Sequence, residues 1–179
     1  MPRGLGKTGA RLLDSELARF ESVLLPHLDA AYTLARYLTR DPHDADDVVQ
    51  DAFLRALKYW DSFKGGDARA WLLTIVRNVC HSMWSGQKPA EEFDEELHGG
   101  EESAEPADAR ALRAETRETL REALDSLPLE FREVLVLREI QGLSYEEITQ
   151  IAQIPMGTVM SRLSRARARL ERALQGVTP

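Results

Sequence analysis

Residues 144–172, SYEEITQIAQIPMGTVMSRLSRARARLER, decide how this chain is read, because they hold two short helices and the break between them. Ser144 is a favoured N-cap and Glu147 follows three positions later, the spacing of a capping box, so a helix is expected from Ser144 to about Gln153. Pro155 and Gly157 interrupt it, and Thr158 is placed to cap a second helix. There Val159, Leu163, Ala166, Leu170 and Leu174 recur at the spacing that buries one face. On the opposite face Arg162, Arg165, Arg169 and Arg172 line up, with Arg167 nearby. Guanidinium groups suit phosphates and guanine edges because their planar donors bond in pairs. Met160, Ser161 and Ser164 stand near the helix start, where a recognition helix touches bases. A solvated basic face would account for the charges alone. The capping box, the Pro-x-Gly break and the basic second helix together have the spacing of a helix-turn-helix, which favours a reader of nucleic acid.

The whole chain has 179 residues and a formal charge of −7, the wrong sign for a protein that coats nucleic acid unspecifically. Contact with DNA is therefore expected to be local. From Thr158 onward there are five Arg and one Glu, whereas Glu91 to Glu105 holds eight acidic residues and no Lys or Arg. The single cysteine, Cys80, excludes an internal disulfide and fits a reducing compartment, so the cytoplasm is expected. Adjacent Cys80 and His81 point to different faces and lack a third ligand, so no metal is expected. No apolar run approaches a membrane span, and the N-terminus lacks the apolar core of a signal peptide. No Gly-rich phosphate loop, nucleophile motif or cofactor motif is present, so an enzyme is not expected.

Outward from the opening stretch, the pattern is helical throughout. Residues 1–14 read as a basic, disordered tail carrying Arg3, Lys7 and Arg11. Ser15 to Thr39 predicts two helical pieces broken near Pro26, with Leu17, Phe20, Leu24, Leu28, Tyr32 and Leu38 inward. Asp41-Pro42 predicts a capped helix start, and Val48, Val49, Ala52, Phe53, Ala56, Leu57 and Trp60 form its buried stripe. Asp51 and Arg55 make an i,i+4 pair on its outer face. Gly65-Gly66 turns the chain, and Asp67 caps a helix from Ala68 to about Trp84 that leaves Arg69, Arg77 and Asn78 near the outside. Trp60 and Trp71 lie on apolar faces and are assigned to the core. Residues 86–110 are acidic and rich in Gly, Ser and Pro, and read as a flexible linker. Helical period returns by Ala111, and Pro128 to Gln141 predicts a helix stopped by Gly142. The fold class is all-α: two small helical domains, 15–85 and 111–175, on an acidic tether.

DADDVVQDAFLRALKYWDSF, then DARAWLLTIVRN, then ALDSLPLEFREVLVLREIQGLSYEEITQIAQIPMGTVMSRLSRARARL resembles the extracytoplasmic-function (ECF) group of bacterial sigma factors, in the sigma-70 family, over about residues 15–175. The resemblance implies a non-enzymatic initiation subunit, monomeric when free, that binds core RNA polymerase and promoter DNA. Region 2 would dock on the clamp of the largest polymerase subunit, at positions matched here by Asp47, Gln50 and Asp51. It would melt the −10 element near the loop from Phe63 to Arg69, with Phe63, Lys64, Arg69 and Asn78 as the matching residues. Region 4 would meet the flap of the second-largest subunit and read the −35 element through Met160, Ser161, Arg162, Ser164, Arg165 and Arg169. An anti-sigma factor is the expected regulator. Relatives carry Lys or Arg more often at the position of Met160, and more basic residues after that of Asn78. The competing reading is a stand-alone helix-turn-helix regulator, which would bind a two-fold operator without polymerase.

Overall fold

The computed structural model describes residues 7–86 and 107–176, with side chains described over 14–86 and 115–176. Most of the expected acidic linker lies outside the described residues. The elements are α1 (Lys7–Leu24), α2 (Leu28–Thr39), α3 (Pro42–Lys58), α4 (Ala68–Trp84), α5 (Ala107–Asp125), α6 (Leu129–Leu135), α7 (Tyr145–Ala152) and α8 (Met156–Gln175). Among the described residues there is no strand. Helix α1 begins inside the stretch expected to be tail, and α5 begins inside the stretch expected to be linker.

Local chemistry sets most of the boundaries. Asp41 caps α3 by accepting from the amides of His43 (2.8 Å) and Asp44 (3.1 Å), with Pro42 in the first turn. Asp67 caps α4 through the Ala70 amide at 3.0 Å. These bonds satisfy amides that a helix start leaves without intrahelical partners. The bundle α1–α4 closes over Phe20, Leu34, Leu38, Val48, Ala52, Leu72, Leu73 and Val76, all buried. At its edge Phe20 meets Trp60 edge-on at 5.3 Å, and Phe63 stacks on Trp60 at 5.3 Å. Leu17, Leu28, Tyr32 and Leu57, expected to face inward, are exposed, because the bundle covers a narrower stripe than the apolar pattern offers.

In the second bundle α8 packs on α5, α6 and α7, around Leu124, Leu127, Phe131, Leu135 and Ala166. The helix expected over Pro128–Gln141 is α-helical only to Leu135 and continues as a π-helical segment, Val136–Ile140. The wider turn ends with the Gln141 amide donating to Val136 O at 2.9 Å, and Gly142 takes φ +69°, a conformation costly for other residues. The capping box forms as expected: the Ser144 amide donates to Glu147 Oε2 at 2.6 Å, and the Glu147 amide donates to Ser144 Oγ at 3.1 Å. Thr158 does not cap α8. The cap position is Pro155, whose constrained φ suits a helix entry, so Thr158 falls inside the first turn and its amide donates to Pro155 O at 2.9 Å.

The two bundles are packed together rather than held apart. Helix α7 lies on α4 and α6 on α2, and one apolar core runs from Phe20 through Cys80 into Val134, Leu137, Ile148 and Leu163. Because the capping box fixes the entry of α7 into that packing, Ser144→Ala is expected to cost about 1 kcal/mol. A denaturant melt of the full chain checks it; an unchanged midpoint would remove the box as a determinant of stability.

Candidate nucleic-acid interface

Helix α8 buries Val159, Leu163 and Ala166 and turns Met160, Ser161, Ser164 and Arg165 to solvent in its first three turns. The arginines are not a uniform strip. Arg162 is half-buried and pairs with Glu130 of α6 at 3.3 Å. Arg167 donates to Glu139 Oε1 at 2.6 Å, and that bond holds its pKa above the ordinary arginine value. The Arg169 guanidinium stands 5.0 Å from the centre of the Phe131 ring, a cation–π contact. Arg165 is exposed and, among the described residues, has no ion-pair partner, so it is the guanidinium most ready for an outside ligand.

The residues expected at the −10 element do not form one open pocket. Phe63 is wedged against Trp60 and Trp71, at 5.3 and 5.1 Å. Lys64 Nζ donates to Asp61 O at 2.7 Å. Arg69 reaches across to the second bundle, where its Nη2 donates to the carbonyl of Gln141 at 2.7 Å and to its side-chain oxygen at 2.6 Å. Asn78 lies about 13 Å further along α4, and its Oδ1 accepts from Arg77 at 3.3 Å.

On α3, Asp47 and Gln50 are exposed and Asp51 is half-buried, paired with Arg55 at 3.0 Å. A shallow groove continues this acidic patch along Leu54, Lys58 and Tyr59. Leu54 and Tyr59 are exposed apolar groups beside the predicted docking residues. Sequence reasoning missed them, although Leu54 falls outside the buried stripe and so carried a signal.

Also unforeseen is the polar seam between the bundles. Glu133 is fully buried, and its Oε1 accepts from Arg77 Nε at 2.6 Å and from His81 Nε2 at 3.0 Å, both on α4. Its Oε2 has no protein partner. Burial pushes the Glu133 pKa up, but the hydrogen bonds and charges of His81 and Arg77 outweigh it and hold the carboxyl below its ordinary value. Next to it Arg132, also fully buried, is brought down to about 10 by burial and by the Arg40 guanidinium. Its Nη2 donates to Leu38 O of α2 at 3.4 Å. Burial and the Glu133 charge push the Cys80 thiol up to about 12, which leaves it protonated and unreactive at neutral pH. Among the described residues no cluster of three or more His, Cys, Asp or Glu side chains is placed to hold a metal, and no helix is long and apolar enough to cross a membrane.

The first bundle thus carries an exposed acidic patch on α3, and the second carries a helix-turn-helix with small and cationic side chains at its solvent face. Comparison with known families places it further. Residues 24–89 match Sigma-70 region 2, and residues 117–170 match Sigma-70, region 4. The chain is 34% identical over 167 residues to the RNA polymerase sigma-H factor of Pseudomonas aeruginosa, covering 87% of this chain and 86% of that one. It is 37% identical over 144 residues to the ECF RNA polymerase sigma-E factor of Escherichia coli, covering 74% of each. A solved structure of the sigma factor RpoE in complex with the anti-sigma factor NepR from Bartonella quintana superposes with a TM-score of 0.67 at 28% identity, over 89% of this chain and 99% of that one. CnrH in complex with the cytosolic domain of CnrY gives 0.60, again at 28%, over 89% of each chain. The chain belongs to the ECF group of sigma-70 family RNA polymerase sigma factors. Since both halves match that one family in order, the stand-alone regulator is set aside.

The seam has a pH consequence. A carboxyl whose folded pKa is depressed contributes stability that is fully present above its ordinary value and is lost as pH falls through the lowered one. The packing between the bundles is therefore expected to hold at neutral pH and to loosen below about pH 4, the ordinary carboxylate range. Near-UV circular dichroism through an acid titration checks it, with Glu133→Gln expected to flatten the step; an identical step in that variant would assign the transition to other carboxylates.

Proposed function

We propose that this chain directs promoter-specific initiation without catalytic activity of its own, as a cytoplasmic subunit that joins core polymerase. Residues 15–85 act as region 2 and residues 111–175 as region 4, with the acidic stretch of 86–110 between them. The observation that carries the reading is the solvent-facing set Met160, Ser161, Ser164 and Arg165 on a helix whose opposite face is buried in its own domain. Small side chains let the α8 backbone approach base edges, and Arg165 supplies the planar donor for a base or phosphate. Arg162 and Arg169 flank it, oriented by Glu130 and Phe131. Region 2 contributes Phe63, Lys64, Arg69 and Asn78 at the −10 element. It docks on the polymerase clamp through Asp47, Gln50 and Asp51, while region 4 meets the flap.

Control falls to an anti-sigma factor. The relatives RpoE and CnrH were solved with NepR and CnrY, and they share this chain's two-domain fold over most of its length. With a net charge of −7, the free protein has little general affinity for DNA, so specificity is expected only in the assembly with core.

Run-off transcription from a pool of promoter fragments, with core polymerase and with or without this chain, tests the reading. Start sites that appear only on its addition support it; tight operator binding by the chain alone, with no transcripts, would sink it. In the same assay Arg165→Ala is expected to weaken initiation at promoters that depend on the upstream element, by about 1–3 kcal/mol in apparent binding. Unchanged dependence on that element would reject Arg165 as a contact. Asp51→Arg is expected to reduce core affinity while leaving the helical circular dichroism spectrum unaltered, since it alters a half-buried surface pair; full retention of core binding would remove Asp51 from the docking patch.

A further inference from the structure

We infer that Met160 reads the 5-methyl group of a thymine in the −35 element, which makes it a specificity-determining residue of α8. This role deepens the assignment of α8 to that element and rests on it.

Among the described residues of α8, Met160 is the one large apolar side chain that stays exposed, at 54%. Val159 and Leu163 beside it are buried, so the helix already has the apolar face it needs for packing, and Met160 lies off that face. It is the fifth residue of α8, within the opening turns that a recognition helix sets against base edges. Its neighbours there are small. Gly157, Ser161 and Ser164 are exposed, and no atom lies within 4 Å of the place where a Cβ would stand at Gly157. A base edge can therefore come up close to the backbone, and the long side chain it meets on that flank is Met160. A single exposed methionine among small and cationic groups is too little apolar surface for a protein-docking patch. Set against one methyl group, it is enough.

The chemistry of a thioether limits what the side chain can read. It has no hydrogen to donate and its sulfur accepts only weakly, so it gains nothing from a phosphate and cannot bond the N7 and O6 acceptors of guanine. Ser161 does not make up for this, because its hydroxyl already donates to Thr158 O at 3.1 Å. A guanine facing Met160 would lose the water on its acceptors and receive no donor in return. The thymine methyl, by contrast, is the apolar group that the major groove displays. Contact with it removes apolar surface from water on both sides, and the rotatable bonds of methionine let the sulfur and terminal methyl settle onto it. Attraction to thymine and rejection of guanine then act at the same position.

The test uses holoenzyme reconstituted from core polymerase and the full chain, on the strongest promoter that the run-off pool yields. Each thymine on either strand of its −35 element is replaced singly by uracil, which removes the methyl and leaves the pairing groups as they were. The DNA concentration that half-saturates the complex is then measured. At one thymine, uracil is expected to raise that concentration about fourfold, the worth of one buried methyl, and a G·C pair to raise it at least about tenfold. Met160→Ala is expected to erase the uracil effect at that thymine and at no other, whereas Met160→Leu, apolar and close in size, retains it. Met160→Arg is expected to move the preference there towards guanine and to steepen the salt dependence by about one counterion. Uracil without effect at every position, or an effect that Met160→Ala leaves in place, would overturn the inference while the −35 assignment stood. Start sites indifferent to the upstream element would overturn the assignment of α8 and this role with it. No start sites at all would overturn the sigma-factor reading, and the role would fall with that.

Discussion

A carboxylate without solvent exposure, held by two side chains from another domain, is the constraint on which the arrangement of this molecule depends. Moving such a group out of water costs several kcal/mol, and only close, well-aligned partners offset it. Arg77 at 2.6 Å and His81 at 3.0 Å meet that need for one oxygen of Glu133, while the other oxygen and Arg132 Nε have no protein partner. An apolar side chain in its place would pack as well without the desolvation cost. It would also leave an exposed apolar group whenever the domains part, favouring aggregation or permanent closure. A charged pair is stable when packed and stays soluble when exposed.

The same economy of charge governs the DNA-reading helix. Five arginines on α8 would give an unspecific attraction to any phosphate chain if all were free. Arg167 instead holds Glu139, Arg162 holds Glu130, and Arg169 lies over Phe131. Each contact uses the guanidinium to fix α8 on α6 or on the π-helical segment that follows it, so the cations orient the helix as well as present charge. What is left at the leading turns is nearly neutral, Met160, Ser161 and Ser164, with Arg165 behind them. Such a surface discriminates by shape and hydrogen bonding more than by charge.

Whatever is local in this fold was legible in the sequence. Asp41, Asp67 and the Ser144–Glu147 box are caps that need only their own next few residues, and all three formed as their spacing predicts. The all-helical class and the buried faces of α3, α4 and α8 follow from the period of their apolar residues. Thr158 misled because Pro155 starts the helix sooner, and nothing in composition ranks one start above the other. Leu17 and Leu57 misled because an apolar stripe states which residues prefer burial, not how much partner surface exists to bury them. The seam was out of reach for a different reason. Arg77 and Glu133 are 56 residues apart, with a tether between them, and each taken alone is an ordinary charged residue on a helix.

That distance shows how function is divided in the chain. The residues proposed for the −35 element are found by local pattern because one helix presents them all. Those proposed for the −10 element are spread over a loop and about 13 Å of α4, and their partners depend on what lies against that helix. When the second bundle lies there, Arg69 is bound to Gln141 and Asn78 accepts from Arg77, which is in turn held by Glu133. When it moves away, Arg69 loses its cross-bundle acceptor and Arg77 its carboxylate, and a strand of phosphates offers replacements of the same sign. Any anion that reached α4 would meet the same cations that the buried carboxylate and the Gln141 side chain of the second bundle hold.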